Sequence, residues 1–145
     1  GGGDDGPGRG AVGGRTITRF TPAADQTAIP GYVYGGLLAS LVDCAGTGSA
    51  CGAAYRHEGR TMGEPADDAA PLRFVTGRLE VDYLAPTPMG VELVVRGRID
   101  EVGAKKVVVS LEVFAGDALV VRGRVIAVRM PDTMGAGSAG AVVTP

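Results

Sequence analysis

The sequence predicts an α+β domain in which an antiparallel β-sheet wraps around one long central α-helix. Three observations carry this reading. Leu37, Leu38, Leu41, Val42 and Ala45 recur at helical spacing. Four later runs alternate apolar and polar side chains, the period of a strand with one face buried. Short glycine-bearing turns join the last of these runs, as antiparallel hairpins require.

The chain has 145 residues and a formal net charge of -2. That length suits one domain and is enough to bury a core without disulfide or metal staples. The charge offers no basic field for nucleic acid. Tryptophan is absent, which weakens any base- or sugar-stacking role. The longest uncharged apolar run, 29–42, is interrupted by Pro30 and several glycines, so no membrane span is expected. The first residues show no basic stretch leading into an apolar one, and no signal peptide is expected.

Taken in order, 1–14 is a glycine-rich tail expected to be flexible. The folded domain is expected over 15–131, with a second flexible tail at 132–145. Residues 16–20 form a first short strand, and 21–31 a loop containing Pro22 and Pro30. A helix is predicted from Tyr34 to Tyr55 or Arg56. Gly46, Gly48 and Gly52 each weaken it by up to about 1 kcal/mol relative to Ala. A helix that keeps them needs close approach by another element, and a wrapped sheet supplies one. Residues 57–71 are polar and form a long loop, either a lid or an insertion.

Strands are predicted at 73–84, 91–102, 105–115 and 118–130. In the first, simple alternation puts Val75, Leu79, Val81 and Tyr83 on one face and Thr76, Arg78, Glu80 and Asp82 on the other. The junction Pro86-Thr87-Pro88-Met89-Gly90 and the turns at Gly103 and Gly116-Asp117 suit a meander of consecutive strands. Arg78, Arg96, Arg98, Arg122 and Arg124 are expected on the outward face. An open sheet edge also needs cover, and pairing with a second copy would provide it.

Cys44 and Cys51 lie seven residues apart on one helix. That is roughly 10 Å along the axis, too far for a disulfide. His57 is the sole histidine, and no metal site is expected from so few soft ligands. Two small buried thiols in a reducing cytoplasm is the plain reading.

The informative stretch runs from Pro30 to Asp43. Two glycines, Gly35 and Gly36, open the helix. Amides at a helix start lack intrahelical partners and carry the positive end of the macrodipole. They can hold an oxyanion as it develops on a carbonyl. Asp43 then interrupts an apolar helix, where a carboxylate is costly unless paired or used. Asp43 and Gly36 face the same way but stand roughly 10 Å apart along the axis. If both serve one carbonyl, two antiparallel helices related by a two-fold axis are required. An isologous dimer would then hold two identical sites.

These residues carry a resemblance. Tyr34-Gly35-Gly36 followed by Asp43 is similar to the His-Gly-Gly…Asp motif of the hotdog-fold thioesterases of the phenylacetate-pathway type. The block from Phe74 to Pro86, with Thr76 and then Tyr83-Leu84-Ala85-Pro86, resembles the same family's next strand. The resemblance spans 31–130. It implies a hotdog fold and hydrolysis of acyl-CoA or acyl-carrier thioesters. It implies Asp43 as general base or nucleophile, Gly36 (or Gly35) as carbonyl-polarising amide, and Thr76 as holder of water or carboxylate. Tyr34, Gly35 and Tyr83 would then contact substrate. It implies a homodimer or dimer of dimers, with no cofactor beyond the coenzyme A of the substrate.

Tyr34 is a departure, since the family carries His there, and a phenol does not titrate near neutrality. That departure keeps a non-catalytic acyl-CoA-binding protein in view. A dehydratase or hydratase acting on thioesters is a third reading, but those use an acid–base His and His57 lies far from the motif. Plain structural readings also stand. Gly35-Gly36 can be only a helix start, Asp43 a buried carboxylate satisfied by Thr76 or an amide, Thr76 an ordinary strand residue, and His57 a surface side chain.

Overall fold

A computed structural model describes residues 12–25, 27–59 and 71–131. Residues 1–11 of the tail predicted at 1–14, the tail predicted at 132–145, and most of the 57–71 loop lie outside the described residues. The elements are β1 (Arg15–Phe20), β2 (Thr27–Ile29), β3 (Tyr32–Val33), α1 (Gly35–His57), β4 (Phe74–Tyr83), β5 (Leu93–Val102), β6 (Lys106–Ala115) and β7 (Ala118–Arg129). Five strands form an antiparallel sheet in the order β1-β5-β6-β7-β4, and α1 packs on one face of it. β2 and β3 form a separate small ribbon within and just after the segment expected to be loop.

The core lies between helix and sheet. Leu37, Leu38, Val42, Ala50 and Ala53 of α1 meet Leu93, Val95, Ile99, Val107, Val109, Leu111, Val113, Val121 and Val125 of β5, β6 and β7. Arg56 and His57 in the last helical turn complement the negative end of the helix dipole. By length and composition α1 could cross a membrane, but here its apolar side chains are spent on the sheet.

The close approach expected from the glycines is present. A Cβ on Gly46 would overlap Val125, and a Cβ on Gly123 would sit 2.5 Å from Val42 Cγ1. Gly97 admits the hydrogen bond between Thr16 Oγ1 and Ser49 Oγ, 2.7 Å long, which satisfies the one buried serine on the helix.

Two expectations are corrected. The four later strands are not a simple meander, because β4 pairs with β7 rather than with β5. The proline-rich junction therefore carries the chain across the fold instead of turning a hairpin. β4 becomes one sheet edge and β1 the other.

The second correction concerns β4. Its register shifts between Thr76 and Arg78. An extra residue in one strand exchanges the faces beyond it. Phe74 and Thr76 face the helix before the bulge, and Val81 and Tyr83 face it afterwards. Thr76 and Tyr83, assigned to opposite faces by alternation, thus share one. Gly77 makes the bulge possible, since a Cβ there would come 2.6 Å from Val128 Cγ2.

Candidate active site

Tyr34 caps α1 in an extended conformation (φ -77°, ψ 149°) and its carbonyl accepts from Leu37 N at 3.2 Å. Its side chain makes no capping bond, and no acidic residue lies in the first turn. The amides of Gly35 and Gly36 fall in that turn, before any intrahelical acceptor is available. The positive end of the dipole is thus left without a neutralising carboxylate of its own.

Two tyrosines flank these amides. The ring of Tyr34 lies against Gly36, where a Cβ would be 2.8 Å from Tyr34 Cε2. Tyr83 reaches across from β4, and its hydroxyl donates to Gly35 O at 2.7 Å. Both tyrosines are exposed, so their faces are open to a ligand. Tyr34, Gly35, Gly36 and Tyr83 are therefore brought together at one end of α1.

Asp43 lies two turns further along, half-buried on the helix. The hydroxyl of Thr76 donates to Asp43 Oδ1. This bond exists because the β4 bulge turns Thr76 inward. It holds Oδ1, and among the described residues no side chain donates to Oδ2. Thr47 Oγ1 donates to the backbone carbonyls of Asp43, at 3.0 Å, and Cys44, at 3.3 Å, rather than to the carboxylate. The helical rise still separates Asp43 from Gly36 by roughly 10 Å within one chain. Within one chain the amides with their tyrosines therefore lie apart from the carboxylate with its threonine.

Large apolar side chains are exposed around these two groups. Leu79 and Tyr83 lie on the edge strand β4, Leu84 follows it, and Tyr32 and Tyr34 precede the helix. A cavity of about 310 Å³ lies beside the helix start, lined by Val33, Gly35, Leu38, Tyr83, Pro86 and Thr87 among others. From the sequence, Thr87 is read only as part of the proline-rich junction. The available signal was a hydroxyl residue between two prolines.

A larger groove of about 410 Å³ lies on the outer face of the sheet, lined by Arg96, Arg98, Arg122 and Arg124 together with Glu80, Asp82 and Glu112. It bears out the outward arginine face. It is across the sheet from Asp43, and its mixed charges compensate one another, so it is not where the candidate chemistry sits.

The cysteines only partly match expectation. Cys51 is half-buried, its thiol lies 3.7 Å from Leu72 O, and burial pushes its pKa up. Cys44 is exposed, on the side of α1 that the sheet leaves open. His57 is half-buried at the far end of the helix rather than on the open surface. Among the described residues its Nδ1 has no hydrogen-bond partner.

A helix opening on two glycine amides, a carboxylate held from a bulged strand, and an antiparallel sheet packed against that helix characterise the domain. The chain belongs to the thioesterase superfamily, whose family model matches residues 30–122. The hotdog fold implied by the motif is the fold observed. Among solved structures, a thioesterase superfamily protein from Shewanella loihica PV-4 is 51% identical. It matches with a TM-score of 0.64, covering 81% of this chain and 84% of that one. A Streptococcus mutans UA159 protein solved with acetyl CoA shares the fold at 18% identity and a TM-score of 0.61, over 82% of this chain and 83% of that one. Among curated proteins, the acyl-coenzyme A thioesterase THEM4 of Xenopus laevis is 26% identical over 103 residues, which is 71% of this chain. The match spans only 39% of that relative's length.

Proposed function

We propose that this protein hydrolyses acyl-CoA or acyl-carrier thioesters at a site shared between two copies. The observation that carries the proposal is the pairing of Thr76 with Asp43 on a helix that opens with two unneutralised glycine amides. An oxyanion-binding amide and an oriented carboxylate are the two groups thioester hydrolysis needs. Membership of the thioesterase superfamily and similarity to an acyl-coenzyme A thioesterase support the substrate class. The acetyl CoA bound by the Streptococcus mutans protein of the same fold agrees with it. The spacing from Gly35-Gly36 to Asp43 supports the phenylacetate-pathway type.

In this reading the thioester carbonyl oxygen accepts from Gly36 N–H (or Gly35 N–H) of one copy. Asp43 of the other copy takes a proton from water, and the hydroxide adds to the carbonyl carbon. Negative charge moves to the oxygen held by the amide. The C–S bond then breaks, the thiolate leaves, and the proton on Asp43 passes to it. Alternatively, the Asp43 carboxylate attacks the carbon directly, the C–S bond breaks and the thiolate leaves, and water then cleaves the resulting anhydride, one released proton going to the thiolate. Thr76 keeps the carboxylate oriented in either route. Tyr34 and Tyr83 flank the bound thioester, and no group on this chain beyond those named is required.

A dimer would bring the amides of one copy to the carboxylate of the other. An edge strand bearing exposed Leu79 and Tyr83 is suited to pair with its own copy and bury that apolar surface. Thiol release should be followed across a panel of acyl-CoAs for the wild type and Asp43→Asn. Turnover by the wild type with a loss of at least about a hundredfold in the variant is expected for a positioned base. Equal turnover would remove Asp43 from the mechanism. Tyr34 in place of His favours a second reading, a protein that binds acyl-CoA without cleaving it. Tight binding with no turnover on any member of the panel would select it.

A further inference from the structure

We infer that Tyr83 is a positioning residue, whose hydroxyl acts on the thioester through the Gly35–Gly36 peptide. The inference rests on the thioesterase reading for the role of the amide, and adds to it the group that aims and polarises that amide.

The Tyr83 hydroxyl donates to Gly35 O at 2.7 Å. That oxygen and the Gly36 N–H belong to one peptide unit. The unit is trans, and planar as peptides are, so its C=O and N–H point in opposite directions and turn together. A bond that fixes the oxygen therefore fixes the direction of the amide. The same bond draws electron density toward the oxygen. The N–H across the peptide becomes a stronger donor, as linked hydrogen bonds polarise one another. Gly36 N–H lies in the first turn, where no intrahelical acceptor takes it, and Gly36 is exposed. It is the outward end of a short relay that begins at Tyr83.

This relay separates the two glycine amides. Gly35 N–H belongs to the preceding peptide, whose oxygen is Tyr34 O. That oxygen accepts from Leu37 N at 3.2 Å and Leu38 N at 3.5 Å, donors any helix start supplies. Among the described residues only the peptide that ends in Gly36 N–H receives a side-chain donor at its oxygen. The structure thus singles out Gly36 as the reinforced amide.

Packing keeps the relay in register. A Cβ on Gly35 would lie 3.3 Å from both Cζ and the hydroxyl oxygen of Tyr83, so the phenol rests directly on that residue. A Cβ on Gly36 would lie 2.8 Å from Tyr34 Cε2. Each glycine admits one ring, and the peptide between them is bounded by both. Tyr83 is itself anchored. It pairs with Val121 of β7, and the following amide, Leu84 N, donates to Val120 O at 2.9 Å. The β4 bulge that turns Thr76 toward Asp43 also turns Tyr83 toward the helix start. One strand therefore orients both the carboxylate and the amide.

Negative charge reaches the substrate oxygen only as the carbonyl is attacked. A reinforced donor therefore favours the transition state over the bound substrate. Loss of the hydroxyl should lower kcat and leave KM in place, the reverse of what a direct contact with the ground-state ligand would give.

Tyr83→Phe keeps the ring and removes only the hydroxyl. On a substrate that the wild type cleaves, kcat should fall roughly three- to tenfold with KM changed by less than about twofold. Heteronuclear NMR of the two proteins reads the relay directly. The Gly36 amide nitrogen should move upfield in Tyr83→Phe, because its peptide is less polarised, while that of Gly48 further along the helix stays in place. A kcat equal to wild type, or a loss of kcat with the Gly36 resonance unmoved, would overturn the inference. A raised KM at constant kcat would also overturn it and assign the hydroxyl to the ligand. If the wild type cleaves no acyl-CoA offered, the thioesterase reading fails by itself. A Gly36 resonance that moves as expected then still supports the polarising bond, and one that stays overturns it.

Discussion

Two glycines two residues apart on one helix should respond in opposite ways to the same added methyl group. In Gly46→Ala the new Cβ would overlap Val125 Cγ2 and lie 2.6 Å from Val125 Cβ. Ordinary carbon–carbon contact is about 3.5–4.0 Å, so helix and strand must part by roughly 1 Å. Val125 is fully buried and paired with Val109 on one side and Leu79 on the other, so β7 has nowhere to retreat. Overpacking of this kind costs about 1–3 kcal/mol. In Gly48→Ala the new Cβ meets nothing within 4 Å. Both variants gain the same helix propensity, up to about 1 kcal/mol. That gain cancels in the comparison. Gly48→Ala should be the more stable of the two by about 1–3 kcal/mol, and more stable than wild type by up to about 1 kcal/mol. Urea unfolding at fixed protein concentration measures both differences. If Gly46→Ala is stabilised as much as Gly48→Ala, the helix does not rest on β7 at Val125 and the packing described here is wrong.

Two further outcomes follow from the site. Thr76→Val should lower thioester turnover by roughly tenfold, the effect of losing one charge-assisted hydrogen bond to the carboxylate. Thr76→Ser should recover most of it, and steady-state kinetics on any substrate that is turned over would show whether it does. Cys51 should be alkylated more slowly in the folded protein than after unfolding, because partial burial shields its thiol and raises its pKa. Mass-resolved labelling with and without denaturant checks this, and labelling of Cys51 at the rate of a free thiol in the folded protein would refute it.

Much of the fold was legible because its signals are local. Helical spacing from Leu37 placed α1 within a residue or two, and alternation placed β5, β6 and β7 almost as closely. The small residues of α1 announced close packing, and Gly46 against Val125 is that packing. What was missed depends on pairing at a distance. Nothing near β4 says that its partner is β7, since that choice is made by a strand more than thirty residues later. The bulge at Gly77 is equally invisible to a period-two pattern, yet it decides that Thr76 meets Asp43. The candidate residues Tyr34, Gly35, Gly36, Asp43 and Thr76 stood out by type and spacing.

The shared site can be tested by mixing two inactive forms. Asp43→Asn lacks the carboxylate, and Gly36→Leu crowds the amide against the ring of Tyr34. Each alone should release no thiol from a substrate that the wild type cleaves. When the two are refolded together, half of the dimers are mixed, and each mixed dimer holds one intact site and one doubly damaged site. The mixture should recover about a quarter of wild-type activity per chain. A mixture as inactive as its parts would contradict a site built from the amide of one copy and Asp43 of the other.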